Sequence, residues 1–241
     1  MKRSMKAIIF DLDGTLINTK SGIIKALNEL IENHQFEPIP KESQDLFVGP
    51  PMANSLITYY GFDKAFAKTC ALEFREIYAN KYSEDARTYN QMKYVLNALR
   101  AQGYTLCVAT YKREDVALKL LNHYKLAKYF DVIHGSDQNA SMTKADIIRK
   151  TMADAKSNVK NTIMVGDTRG DGEAAKEVGC AFIAVTYGYG FKPKDNIDDL
   201  YPVAICTKVL EIYSVCIKAH RKIRKNSEKV DIPAKKEELA E

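Results

Sequence analysis

Short apolar runs alternating with stretches of helical spacing constrain this chain more than any other feature. Ala7–Phe10, Thr105–Ala109, Phe130–His134, Thr162–Val165 and Ala181–Thr186 are four to six residues each, rich in Val and Ile and bounded by Gly, Asp or Ser. Runs of that kind fit strands buried on both faces. Between them apolar residues recur at helical spacing, as at Met92, Val95, Leu96 and Leu99. The alternation from residue 89 to about 187 therefore predicts an α/β architecture, a parallel sheet wrapped by helices. One interval breaks it. Between Leu16 and Tyr89 no strand-like run occurs, whereas Ile23, Leu27, Leu30 and Ile31, then Phe66, Leu72, Phe74 and Tyr78, keep helical periodicity. This predicts an inserted helical domain, interrupted at Glu37–Pro40 and Val48–Pro51, where proline removes amide donors and fixes φ. A further helical stretch is expected from Pro202 to Arg224.

Composition closes several alternatives. With 46% hydrophobic and 28% charged residues in 241, disorder and collagen-like repeats are excluded, and no apolar run approaches the roughly 20 residues that span a bilayer. The opening segment meets Asp11 after four apolar residues, so a signal peptide is not expected. Five scattered cysteines without a CxxC pair predict reduced thiols, no zinc site and a cytoplasmic setting; Cys107, inside an apolar run, reads as a core residue. The net charge of +5 is concentrated after residue 217, where eight basic residues face five acidic ones. The remainder is near neutral and gives no case for nucleic acid, and the tail reads as a solvated helix end with a polar extension.

The chemistry lies at the ends of the apolar runs. Ala7–Phe10 leads into Asp11-Leu12-Asp13-Gly14-Thr15, and alternation along a strand puts Asp11 and Asp13 on one side at its carboxyl end, where open α/β sheets place ligands. As an EF-hand loop this segment fails, because Leu16 stands where glycine is required. Thr162–Val165 leads into Gly166-Asp167-Thr168-Arg169-Gly170-Asp171 and adds two more carboxylates. Four converging acids need a cation, and hard oxygen ligands suit Mg²⁺. Thr110, at the end of another run, and Lys144, at the head of a helical segment, supply a hydroxyl and a charge for a phosphate. Asp11 is then placed to attack phosphorus, with Asp13 protonating the leaving oxygen and activating water.

These motifs, in this order, resemble the haloacid dehalogenase superfamily over nearly the whole chain to about Gly190. The resemblance implies a Rossmann-like core of residues 1–16 and 89–217, a small all-helical cap domain at 17–88 and a polar basic tail at 218–241. It implies Asp11 as nucleophile, Asp13 as acid and base, Thr110 on the phosphate and Lys144 balancing charge. Its Mg²⁺ ligands are Asp11, Asp13 through its carbonyl and Asp167, with Asp171 supporting the metal shell. Dehalogenases and phosphonatases of the superfamily lack the second aspartate of the first motif, so Asp13 points to a phosphatase. Phe47–Met52, Ala109–Lys112, Gly135-Ser136 and Tyr187–Gly190 look like the phosphoglycolate phosphatase branch, with a helical C1-type cap after the first motif. That branch commonly reads Thr-Ser-Lys in its second motif; Tyr111 replaces the serine, and Lys112 is in place.

The expected phosphate cradle is Gly14, Thr15, Thr110, Tyr111, Lys112 and Lys144, and Gly49, Pro50 and Arg75 are the cap residues expected at the substrate. For Arg75 a helix-surface salt bridge is the equal alternative. The expected substrate is a small phosphorylated metabolite, phosphoglycolate-like, bound by a monomer or homodimer. The alternatives are a 5'-nucleotidase, a sugar phosphatase or a catalytically inactive regulatory module; a phosphosugar mutase is disfavoured, because Gly14-Thr15-Leu16 follows the phosphatase form. Hinges are expected near Leu16–Asn18 and Asp85–Tyr89.

Overall fold

The computed structural model describes residues 5–230, the last eight by backbone alone. Six parallel strands form one sheet: β1 (Ala7–Phe10), β4 (Thr105–Arg113), β5 (Val132–Ser136), β6 (Thr162–Gly166), β7 (Ala181–Val185) and β8 (Ala204–Cys206). Their order is β5-β4-β1-β6-β7-β8, so β1 lies between β4 and β6, where the winding direction reverses. Alternation splits β1 between two cores. Ile8 and Phe10 pack on one face with α4 (Met92–Ala101), α5 (Glu114–His123) and α8 (Glu211–Val230). Ala7 and Ile9 pack on the other, beneath α6 (Lys144–Asp154) and α7 (Arg169–Val178).

The insertion leaves and re-enters the core through two two-residue strands, β2 (Ile17–Asn18) and β3 (Arg87–Thr88), paired antiparallel. It contains α1 (Lys20–His34), a 3₁₀ segment at Lys41–Phe47, α2 (Met52–Tyr60) and α3 (Lys64–Ile77), which runs into a single π turn at Tyr78–Tyr82. Leu27, Leu30, Phe47, Leu56, Cys70 and Phe74 bury one another there, and Val116 of α5 joins this cluster from the core.

Two segments differ from the sequence reading. The helix expected from Pro202 begins only at Glu211, because Ala204–Cys206 extends the sheet as an edge strand along β7. Three residues are too few to display a period, and Ile205 faces solvent. The β2–β3 pair likewise lies inside the interval read as free of strands. Of the others, β5 starts two residues later than expected, and β4 continues past Ala109 to Arg113 with a register irregularity. The tail expected from residue 218 begins within α8 and otherwise lies outside the described residues. All five cysteines are free and buried, and burial pushes the Cys107 thiol up to about 12. Among the described residues no helix is long and apolar enough to cross a membrane.

Candidate active site

At the carboxyl end of β1 the sheet places a group of buried acids around one buried ammonium. The Asp11 amide donates to the Val165 carbonyl at 2.9 Å, which holds the first motif against β6. Lys144 Nζ donates to Asp11 Oδ1 at 2.5 Å and lies 2.8 Å from Asp171 Oδ1. Burial alone would lower the Lys144 pKa, but Asp11 and Asp171 outweigh it and hold the ammonium charged. Thr143 caps α6 in a capping box with Asp146, which sets Lys144 at the first helical position. Asp171 is fixed in the same way. Its Oδ2 accepts from the Thr168 amide at 3.1 Å and hydroxyl at 2.7 Å, closing the box that starts α7.

Asp167 is fully buried. Its Oδ1 accepts from the Thr15 hydroxyl at 2.9 Å and its Oδ2 from the Tyr189 amide at 2.8 Å. Gly14 backs onto this carboxylate at φ +81°, where a Cβ would stand 2.3 Å from Asp167 Oδ2. Burial and Asp171 push the Asp167 carboxyl up to about 7 against the donors that stabilise its charge. Burial pushes Asp11 up to about 8, with Lys144 opposing and Asp171, Asp167 and Asp13 adding to it. One carboxylate oxygen from each of Asp11, Asp167 and Asp171 lies within 4.8 Å of the others. Three buried hard oxygen donors so placed fit a divalent cation such as Mg²⁺.

The carboxylate of Asp13 turns away from this group. Its Oδ1 accepts from the Thr19 hydroxyl at 2.6 Å and lies 3.2 Å from Lys112 Nζ, which sits 4.0 Å above the Tyr78 ring. Thr110 is buried, and its Oγ1 accepts from the Lys112 amide at 3.2 Å. The Tyr111 ring, expected beside the phosphate, stands 5.9 Å from Lys144 Nζ. Asp13, Tyr111 and Lys112 also line a cavity of about 590 Å³ between core and insertion, together with Gly49, Pro50 and Arg75.

Arg75 lines the cavity and forms no salt bridge among the described residues. Its guanidinium donates to the carbonyls of Tyr111 at 3.0 Å and Asp137 at 3.2 Å and to the Ser136 hydroxyl at 2.8 Å, strapping the insertion to the core. Two tyrosines of the Tyr187–Gly190 motif, not expected among the site residues, also act here. The Tyr187 hydroxyl donates to the Thr15 carbonyl at 2.9 Å, and the Tyr189 hydroxyl receives the amides of Thr19 and Lys20 at the start of α1.

A parallel sheet with an acid-and-lysine centre at the end of β1 and a helical insertion between β2 and β4 defines a hydrolase class, and the comparisons agree. The family model described as haloacid dehalogenase-like hydrolase matches residues 8–185, and the chain belongs to that family. It is 29% identical over 209 residues to a 5'-nucleotidase of Pseudomonas aeruginosa, covering 86% of this chain and 94% of that one. It is 30% identical to a phosphoglycolate phosphatase of Neisseria meningitidis, covering 87% and 92%. The crystal structure of a predicted phosphatase from Clostridium acetobutylicum superposes with a TM-score of 0.83 at 30% identity, covering 90% of this chain and all of that one.

Proposed function

We propose that the chain is a Mg²⁺-dependent phosphomonoesterase working through an aspartyl-phosphate on Asp11. The observation that carries this reading is the buried contact of Lys144 with both Asp11 and Asp171, beside Asp167, at the carboxyl end of β1. Asp11 attacks phosphorus in line, forming its Oδ–P bond as the bond from phosphorus to the leaving oxygen breaks. Asp13 gives that oxygen a proton, then takes one from the water that hydrolyses the acyl phosphate. Lys144 favours the ionised form of Asp11 against its burial and offsets phosphate charge, and Thr110 and Lys112 are the core's remaining donors to the phosphate. Asp11, Asp167 and the Asp13 carbonyl would hold the cation, with Asp171 supporting them; bound there, Mg²⁺ neutralises the gathered oxygens. The helical insertion at 17–88 acts as a cap, hinged at β2 and β3, that excludes water and selects the leaving group.

The relatives divide the substrate between a phosphoglycolate-like metabolite and a 5'-nucleotide. The cavity favours the larger, since about 590 Å³ exceeds what a two-carbon acid fills and Arg75 is already engaged by the core. The test is phosphate release from p-nitrophenyl phosphate, phosphoglycolate and nucleoside monophosphates with Mg²⁺, with EDTA, and in D11N. Loss of at least about a thousandfold in D11N is expected; activity surviving the substitution overturns the nucleophile assignment.

A further inference from the structure

One face of α3 runs the length of the cavity. Arg75, Leu72, Ala71, Lys68 and Lys64 follow one another at helical spacing and all line it. Arg75 marks the inner end, because it bonds the Tyr111 carbonyl one residue from Lys112. At about 1.5 Å per residue, Lys68 and Lys64 stand roughly 10 and 16 Å of helix farther out.

The wall between is apolar, with Phe47, Met52, Leu72 and Phe74 facing the space. Its charge is one-sided. Lys64, Lys68, Arg75, Lys112 and Arg113 line the cavity against a single carboxylate, Asp13. The inner cations are engaged: Lys112 by Asp13, Arg75 by main-chain oxygens, and Arg113 by Glu76 and Asp115. The exposed ammonium groups of Lys64 and Lys68 have neither an ion pair nor a hydrogen bond among the described residues.

Two unpaired ammonium groups at the outer end of an apolar wall are placed to pair with an anion there. We infer that the substrate is a phosphomonoester whose leaving group carries a ring-sized apolar body and, of order 10 Å from the phosphorus, a second anionic group that meets Lys64 and Lys68. This rests on the phosphomonoesterase reading. It separates this chain from an enzyme for phosphoglycolate, whose carboxylate lies too close to the phosphorus to reach them.

The experiment compares biphenyl-4-yl phosphate bearing a 4'-carboxylate with its 4'-carboxamide, with p-nitrophenyl phosphate as reference. Wild-type enzyme with Mg²⁺ is expected to prefer the carboxylate by about five- to twentyfold in kcat/KM at low ionic strength, a preference that shrinks as salt screens the charges. K64Q/K68Q is expected to reduce that ratio by on the order of three- to tenfold, as suits exposed charges. K93Q, on the far helix α4, keeps the wild-type ratio. Equal kcat/KM for the two esters, a preference untouched by K64Q/K68Q, or hydrolysis of p-nitrophenyl phosphate alone overturns the inference and leaves the phosphomonoesterase reading standing. No hydrolysis of any of the three overturns that reading, and the inference with it.

Discussion

The main-chain amide of Tyr189 donates to Asp167 Oδ2 at 2.8 Å, while the same residue's hydroxyl sits at the head of α1. The N-cap residue of that helix, Thr19, supplies no side-chain cap, and Asn18 Oδ1 accepts from the Lys20 amide only at 3.3 Å. The phenol oxygen instead receives the amides of Thr19 and Lys20 and donates to Asn18 Oδ1 at 3.2 Å. One loop residue therefore joins the most buried carboxylate of the site to the first helix of the insertion.

Tyr189→Phe removes the acceptor and leaves the backbone bond to Asp167 in place. Loss of a helix cap costs about 1 kcal/mol, a fall in Tm of roughly 2–4 °C for a chain of this size. Because Thr19 also holds Asp13 through its hydroxyl, kcat is expected to fall while Mg²⁺ affinity stays unchanged. Thermal melts and steady-state kinetics across a Mg²⁺ titration check both halves.

Lys144→Met leaves Asp11 and Asp171 buried without their shared cation. Breaking one partner out of a buried ionic group costs about 3–5 kcal/mol. The double variant D11N/K144M removes one of the stranded charges as well and should recover part of that loss, since the two positions are directly coupled. Urea midpoints for the two single variants and the double variant test this; strict additivity would show that the Lys144–Asp11 contact contributes nothing to folding.

The acids and Lys144 were legible in the sequence because each stands where an apolar run or a helical segment meets polar residues, and strand register does the rest. Asp11 stands one residue after Phe10, and Asp167 two residues after Val165, the position paired with Phe10, so reading two strands sufficed to bring them together. Arg75 was not legible in the same way, since two of its acceptors are carbonyls 36 and 62 residues away that carry no side-chain signature, and the third, the Ser136 hydroxyl, is 61 residues away. Tyr189 reads as part of a glycine-rich loop until the fold sets α1 against it. Lys64 and Lys68 resemble any solvated helix face until the cavity gives that face a direction. Strands β2, β3 and β8 escaped because two or three residues contain no period.

Gly188→Ala strikes Asp167 from behind. A Cβ there would stand 2.4 Å from Asp167 Oδ2 and 2.5 Å from both Asp167 Cβ and the Gly14 carbonyl, so side chain or backbone must shift. Overpacking of this kind costs about 1–3 kcal/mol. A displaced carboxylate should also weaken Mg²⁺ binding by roughly 10–100-fold. Calorimetric titration of Mg²⁺ into the folded variant separates the second effect from the first.

Mg²⁺ itself should stabilise the fold, and more so as pH rises. Burial lifts Asp11 to about 8 and Asp167 to about 7, both far above the 3.8 of an unperturbed aspartate. In the metal-free protein the folded state therefore binds more protons than the unfolded chain. Its stability is greatest below pH 3.8 as far as these two groups are concerned, and falls as pH rises through their folded values. A cation that pairs with the ionised carboxylates offsets that loss and competes with protons for the same oxygens. At ten times its Kd, Mg²⁺ contributes about 1.4 kcal/mol, a rise in Tm of roughly 3–5 °C. At fixed Mg²⁺ the rise should be larger near pH 8.5 than near pH 5.5, because deprotonation of the cluster favours the metal. Melting curves with Mg²⁺ and with EDTA at both pH values measure it, and D167N should reduce the pH dependence of the gain while Asp11 keeps the remainder.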